Sequence, residues 1–497
     1  MKRRDFIKNT GFGAGSILAT SSFISLLASC NKNNMMGGNM NMGGQPVPVT
    51  EGSFTRLLPI PNTVTGATSL TAQATNSNIN GSSFSVLGYQ SGGILGPTIR
   101  VGNGTNANIN FQNNLSEKTN IHWHGLKIPA DMDGHPEAIV NSGSSFNYQF
   151  AINQRAALNW YHPHPDGATA RQAFQGLAGL FIVNDAEETA LNLPSGIYEI
   201  PLVIQDKRLT SSGIAYNPTS MEVMTGYMGE TILVNGEASP FTEIATRFYR
   251  LRILNGSNAR IYNLALSNNA DLIVIGNDGG LLKNPATVKS ILLSPGERLD
   301  VLVNFSGLPI GSEVFLENKM FDNAGSAQGK QGFKILKLKV TQTVNDSFSV
   351  PASLSSITTI PASAATRTRN FVLSVMQMSG GMNMTGMHQI NGKTYNKNRI
   401  DETVTANATE IWEFDNSQGD EPHPIHLHGV HFQVLERTGG RSQLIASESG
   451  WKDTVLLLPQ EKVKLIIPFA SLTGVFVFHC HNLEHEDDGM MLQYQLN

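Results

Sequence analysis

The chain closes on His479-Cys480-His481, followed by His485 and Met490. These residues end a run of apolar and β-branched side chains, Gly474-Val475-Phe476-Val477-Phe478, that reads as a buried strand. Successive side chains on a strand point to opposite faces. Cys480 therefore faces one way and His479 and His481 the other, so one peptide reaches two sites. Thiolate, imidazole and a weak axial thioether are the donor set of a blue-copper centre. A zinc site is the plainer alternative, but zinc is held by Cys, His and carboxylates rather than by Met.

Ten of the 13 histidines fall into the groups His122/His124, His162/His164, His423/His426/His428 and His479/His481/His485. Each group contains an H-x-H pair. In a strand, residues i and i+2 share a face about 6.6 Å apart, so both imidazoles can reach one metal or two adjacent metals. A single such pair is weak evidence, since a core or surface histidine explains it as well. Four pairs, divided between the early and late parts of the chain, imply a cluster of imidazoles around several coppers where those parts meet. His423 and His485 are left to join Cys480 and Met490 in a separate four-donor site. His135, His388 and His431 read as structural or surface residues.

The elements that must position these donors are short strands. With 497 residues the chain has room for roughly three domains of about 150 each. Only 15% of residues are charged, 48 are Gly, and short alternating runs are punctuated by Asn, Gly, Ser and Pro, which predicts an all-β protein. The net charge of −4 gives no sign of a nucleic-acid partner. A strand-plus-turn unit recurs at Asn108–Asn114, Tyr249–Asn255 and Glu410–Asn416, and only the first and third copies are followed by histidines. We place domain one at 50–186, domain two at 187–345, without copper ligands, a Ser/Pro/Ala/Thr-rich linker at 346–364, and domain three at 365–497. Each is long enough for a two-sheet sandwich.

The front end reads as a targeting segment, 1–30, beginning Lys2-Arg3-Arg4-Asp5-Phe6-Ile7-Lys8 and ending Leu27-Ala28-Ser29-Cys30. Its paired arginines resemble a twin-arginine export signal, and its end resembles a lipoprotein signal in which Cys30 becomes lipidated. A membrane-spanning anchor over Gly11 to Ser29 is disfavoured by the Gly, Ser and Thr spread through it. The expected location is the periplasm or cell envelope, with membrane attachment through Cys30. With Cys480 a ligand and Cys30 a lipid site, no disulfide is expected. Residues 31–49, with Met35, Met36, Met40 and Met42 among Gly and Asn, read as a flexible tether; thioethers also suit Cu(I).

The motifs His122-Trp123-His124-Gly125, His162-Pro163-His164, His423-Pro424-Ile425-His426-Leu427-His428-Gly429 and His479-Cys480-His481-x3-His485-x4-Met490 together resemble the signature of the multicopper oxidases, in their bacterial three-domain copper-efflux oxidase and laccase branch. The resemblance covers nearly everything after residue 50 and includes Gly450-Trp451-Lys452-Asp453-Thr454-Val455. It implies three consecutive cupredoxin-like Greek-key sandwiches and four copper ions. His423, Cys480, His485 and Met490 would bind a type 1 copper. His122 and His426 would bind a type 2 copper, and His124, His162, His164, His428, His479 and His481 a type 3 pair. The implied reaction couples four one-electron oxidations of substrate to reduction of dioxygen to two waters. Cys480 and its flanking histidines would link the electron-accepting site to the cluster. Asp133 and Glu486 resemble family carboxylates that supply protons; a turn Asp and a solvated Glu are the plain alternatives.

The reductant reads as Cu(I), in copper tolerance, and/or phenols and aromatic amines in laccase-like oxidation. Met376, Met378, Met382, Met384 and Met387 precede His388 and fit no single strand or helix period, so a core stripe is the weaker reading; the resemblance to the copper-efflux branch, which has a Met-rich segment here, implies Cu(I) handling. The segment is shorter than its counterpart in the copper-efflux branch. The family's Met just before the first ligand is replaced here by Gly419-Asp420-Glu421-Pro422, which counts against a dedicated cuprous oxidase, and the shorter cover leaves the type 1 edge more open to phenols and aromatic amines. A copper-binding or sequestering envelope lipoprotein with little turnover is the alternative class. Three sandwiches in one chain complete the site without a partner, so a monomer is expected.

Overall fold

Period-two patterning builds the strands. Asn106–Asn113 alternates exposed and buried, with Ala107, Ile109, Phe111 and Asn113 turned inward, as a strand with one face on a core requires. The computed structural model describes residues 44–65, 67–376 and 386–497. The signal segment with Cys30, the tether methionines, and Met378, Met382 and Met384 lie outside the described residues.

Three pairs of sheets follow one another along the chain. In the first, Ala67–Ile79, Ser82–Gly88, Asn106–Asn113 and Ser145–Ala151 form one sheet. Thr63–Val64, Thr98–Gly102, Ala157–Tyr161 and Gly179–Asn184 form the other. The second pair is a seven-stranded sheet around Phe248–Asn255 and a six-stranded sheet around Phe333–Gln342. The third is a six-stranded sheet around Thr409–Asp415 and a five-stranded sheet in which Gly474–Cys480 lies between His423–Leu427 and Met491–Leu496. This is the all-β, three-sandwich architecture expected. Parallel pairings such as Ala67–Ile79 with Asn106–Asn113 and Arg367–Val375 with Thr409–Asp415 require the crossovers of Greek-key connections.

The internal repeat has a physical basis. Asn113, Asn255 and Asn416 lie at or one residue past the ends of the repeated strands Asn106–Asn113, Phe248–Asn255 and Thr409–Asp415, each with the amide fully buried. Asn113 donates to the carbonyls of Glu117 and Val140, Asn255 to those of Arg260 and Leu293, and Asn416 to those of Glu421 and Leu458. In each sandwich one amide satisfies carbonyls that the turn leaves unpaired.

Two stretches pack differently from the sequence boundaries. Arg56–Leu57, placed at the start of domain one, pairs in parallel with Pro240–Ala245 of the second sandwich, and Val49 and Leu58 join that core. Apolar side chains and an otherwise open sheet edge are covered together. The linker docks on the same sandwich: Leu354 is buried in its core and its N–H donates to the Lys283 carbonyl. All three sandwiches meet at the short helix Leu483–Asp487. Glu484 accepts from Asn258 and from the Tyr227 N–H. Asn258 also donates to the Ala170 carbonyl, and Asp487 accepts the N–H groups of Thr169 and Ala170.

Candidate metal centre

The final strand delivers its donors as alternation requires. Cys480 Sγ lies 3.5 Å from His423 Nδ1 and 3.6 Å from His485 Nδ1, and the two nitrogens are 3.3 Å apart. A triangle with edges near 3.5 Å has its centre about 2.0 Å from each corner, within the roughly 2.0–2.3 Å that Cys and His donors hold from a first-row cation. Burial pushes the Cys480 thiol well above its ordinary value and takes His423 down to about 3. The dry site therefore favours neutral imidazoles and needs a cation to draw the proton from sulfur. The Asn482 N–H points at Cys480 Sγ from 3.5 Å. Met490 is fully buried, and its carbonyl accepts the Cys480 N–H at 3.0 Å. His485 Nε2 is held by the Met224 carbonyl at 3.0 Å, from the second sandwich.

On the opposite face, the eight paired histidines converge between the first and third sandwiches. His122 Nε2 and His426 Nε2 are 3.3 Å apart. His164 and His428 each present Nε2 to His479 Nε2, at 3.2 and 3.1 Å. His124, His162 and His481 bring one nitrogen each within 4.8 Å of one another. The arrangement is one pair and two triplets. His479 belongs to one triplet and His481 to the other, so the peptide that carries Cys480 reaches both.

These residues fit metal ions. His124 Nδ1, His162 Nε2 and both ring nitrogens of His481 are buried without a hydrogen-bond partner, a costly state for a polar atom that a bound cation relieves. Burial keeps His122, His124, His164, His428 and His481 well below the usual imidazole range, and takes His162 down to about 3. The neutral form is the ligand form. Outer contacts fix the rings. The carbonyls of Asp133 and Asp453 accept from Nδ1 of His122 and His426 at 2.8 and 2.9 Å, leaving Nε2 to face inward.

Both carboxylates singled out from sequence are beside the cluster. Asp133 is 1% exposed and accepts from His428 Nδ1 at 2.7 Å; burial raises its carboxyl well above the ordinary range. Glu486, 2% exposed, lies 3.1 Å from His479 Nδ1 and 3.4 Å from His164 Nδ1. Neither is a solvated surface group.

Three residues that carried no role in the sequence complete the surround. Asp453 accepts from Arg298 of the second sandwich, and its Oδ1 lies 3.1 Å from His124 Nε2. Gly296 packs on the rings of His124 and His481. His431 donates toward the Gly125 carbonyl and His135 contacts Gln493, both structural. His388 is fully buried and stacks on the ring of His485 at 3.8 Å, the structural one of the two expected places.

Models of the multicopper oxidase family match residues 71–188, 207–329 and 369–497. A multicopper oxidase of Staphylococcus haemolyticus is 36% identical over 82% of this chain and 83% of its own. A laccase of Bacillus subtilis is 32% identical over 80% of this chain and 87% of its own. The crystal structure of the McoA multicopper oxidase of Aquifex aeolicus superposes with a TM-score of 0.81 at 35% identity, covering 89% of this chain and 99% of that one.

Proposed function

Because the chain belongs to the multicopper oxidase family, we propose that it holds four coppers and takes single electrons from Cu(I) or from small phenols and aromatic amines. The observation that carries this reading is the split of one peptide between two donor sets, Cys480 with His423 and His485, and His479 and His481 with the six other cluster imidazoles. His423, Cys480, His485 and Met490 would hold the type 1 ion. His122 and His426 would hold type 2, and the triplets His124/His162/His481 and His164/His428/His479 the type 3 pair. Bound copper supplies the redox chemistry, accepting one electron at a time and reducing dioxygen to two waters.

The chain's own groups do the rest. Cys480 and its neighbours form the covalent bridge between the sites. Asp133, bonded to His428 Nδ1, and Glu486, beside Nδ1 of His479 and of His164, are placed where a general acid would pass protons to the cluster. Asp453 and the Asp133 carbonyl orient the imidazoles. Export through the twin-arginine-like segment and anchoring through a lipid on Cys30 follow from the sequence alone, as does a monomer. Radiolabelled palmitate incorporation lost in Cys30→Ala tests the anchor.

Oxygen uptake by the copper-loaded protein, with chelated Cu(I) and with a dimethoxyphenol at matched concentrations, tests the function. Uptake with either substrate is expected, and Cys480→Ser should remove it together with the blue absorption band. Retained uptake in that variant would overturn the mechanism. No uptake in the fully loaded wild type would favour a copper-sequestering protein.

A further inference from the structure

A small cavity of about 100 Å3 opens between the first and third sandwiches. Lys127 and Arg155 line it from the first, and His431 and Trp451 from the third, with Val430 and Pro468 among its apolar walls. No acidic side chain lines it among the described residues. Arg155 is only half engaged. Its Nη2 donates to the Leu281 carbonyl at 3.1 Å and lies 3.6 Å from the exposed Glu187 carboxylate. Its Nη1 is buried and has no hydrogen-bond partner among the described residues.

Lys127 adds a second cation. Its backbone N–H is fixed by Gln154 Oε1 at 2.9 Å, which holds the residue in place. Burial and the Arg155 charge both lower its amine from the ordinary value, and no acid acts the other way. Two cationic groups at one cavity, one with a buried donor left open, are costly unless an anion joins them. The cavity is far below the roughly 300–1,000 Å3 of a site for a drug-sized molecule, so the occupant is a small ion. A guanidinium edge beside an ammonium suits the oxygens of a carboxylate or phosphate. The far wall leads inward: His431 Nε2 donates to the carbonyl of Gly125, next to His124, at 3.0 Å and lies 4.0 Å from Asp453 Oδ2.

We propose that this cavity binds a small oxyanion, a carboxylate or phosphate group, between Arg155 Nη1 and the Lys127 amine, and that the bound anion braces the joint between the first and third sandwiches. The cluster histidines come from the same two sandwiches. The site itself does not depend on the oxidase reading.

An anion that binds the folded chain alone raises its stability with concentration. The test follows the thermal midpoint of the copper-loaded full chain in rising inorganic phosphate or acetate. Sodium chloride keeps the ionic strength constant, so that general screening is fixed. A saturable rise is expected in the wild type, and whether phosphate or acetate produces it names the group. In Arg155→Met the concentration for half the rise should increase about ten- to hundredfold, as for loss of one hydrogen bond to a charged group. Because Arg155 also bonds the Leu281 carbonyl, Lys127→Gln is the second variant. It should show a similar weakening, with a midpoint no lower than the wild type when no oxyanion is added. The type 2 electron paramagnetic resonance signal distinguishes this site from anions bound at copper. An equal response in the wild type and both variants would overturn the proposal. So would a response that tracks a change in the type 2 signal, or no saturable response to either oxyanion.

Discussion

The Arg298 guanidinium of the second sandwich meets the Asp453 carboxylate of the third, with Nη1–Oδ1 at 2.7 Å and Nη2–Oδ2 at 2.5 Å, and neither group reaches solvent. Asp453 in turn stands beside His124 and offers its carbonyl to His426. A sandwich that lends no histidine to the cluster thus sets the orientation of two cluster rings. Arg298 holds the Asp453 carboxyl well below its ordinary value against the cost of burial, which alone would raise it.

Arg298→Met removes one partner of a buried pair and leaves the other charge uncompensated, at a cost of about 3–5 kcal/mol. Copper at His122/His426 and at the His124 triplet should bind about ten- to hundredfold more weakly, as when an outer-shell partner is lost. The Cys480 site shares none of these contacts, so its blue band should persist. Urea unfolding and the type 2 electron paramagnetic resonance signal measure both effects. Full copper at wild-type stability would show that Asp453 is held by other means.

Glu486 sits against one nitrogen of His164 and one of His479. Gln has the same shape and no proton to give. In Glu486→Gln, reoxidation of the fully reduced enzyme by dioxygen should slow about a hundredfold or more. Reduction of the blue site by a dimethoxyphenol under anaerobic conditions, which demands no proton at the cluster, should not slow in parallel. Stopped-flow traces at the blue band separate the two steps. Equal slowing of both would assign Glu486 to ring positioning instead of proton supply.

The donor clusters were legible in the sequence because their information is local. Donor types and H-x-H spacing carry the facing of each side chain once a strand is recognised, and Cys480 needs only its own peptide to separate two sites. The surround was not legible, because it depends on what the fold brings together. Asp453 lies in a stretch that resembles the family, but nothing nearby in sequence says that Arg298, 155 residues away, will neutralise it. His388 reads as a stray histidine until Asp488 and His485 are placed around it. Val49 and Leu58 could be assigned to the second sandwich only from the open edge of Pro240–Ala245.

Lys207, outside the candidate metal-ligand set, makes a pH prediction. Its amine is fully buried, donates to the Ala173 carbonyl at 3.3 Å and lies 4.6 Å over the Phe174 ring. Burial takes it down to about 7 in the folded chain, although Asp206 and Glu484 act the other way. An unfolded lysine keeps its proton to about pH 10.4. Between those values the unfolded state binds the extra proton, so this group makes stability rise with pH across the window. Below pH 7 the full cost of charging a buried amine is present, on the order of 5 kcal/mol. Lys207→Met should therefore raise the urea midpoint at pH 6 and flatten its rise toward pH 10. A slope identical to the wild type would mean that the amine remains protonated in the fold.

Gly296 tests how closely the second sandwich shapes the cluster. Its φ of +82° is a conformation that side chains resist, and an added Cβ would lie 3.1 Å from His124 Cε1 and 3.1 Å from both Cδ2 and Cε1 of His481. Gly296→Ala adds backbone strain of about 1–2 kcal/mol and presses on two rings of one triplet. Those rings sit in a packed interior that cannot absorb the displacement freely, so the cost should fall on copper geometry as well as on stability. The expected outcome is partial loss of type 3 coupling, seen as a new copper resonance signal, with the Cys480 blue band unchanged. If only the unfolding midpoint moved, the rings would have room to shift together, and the cluster would be more tolerant than its burial implies.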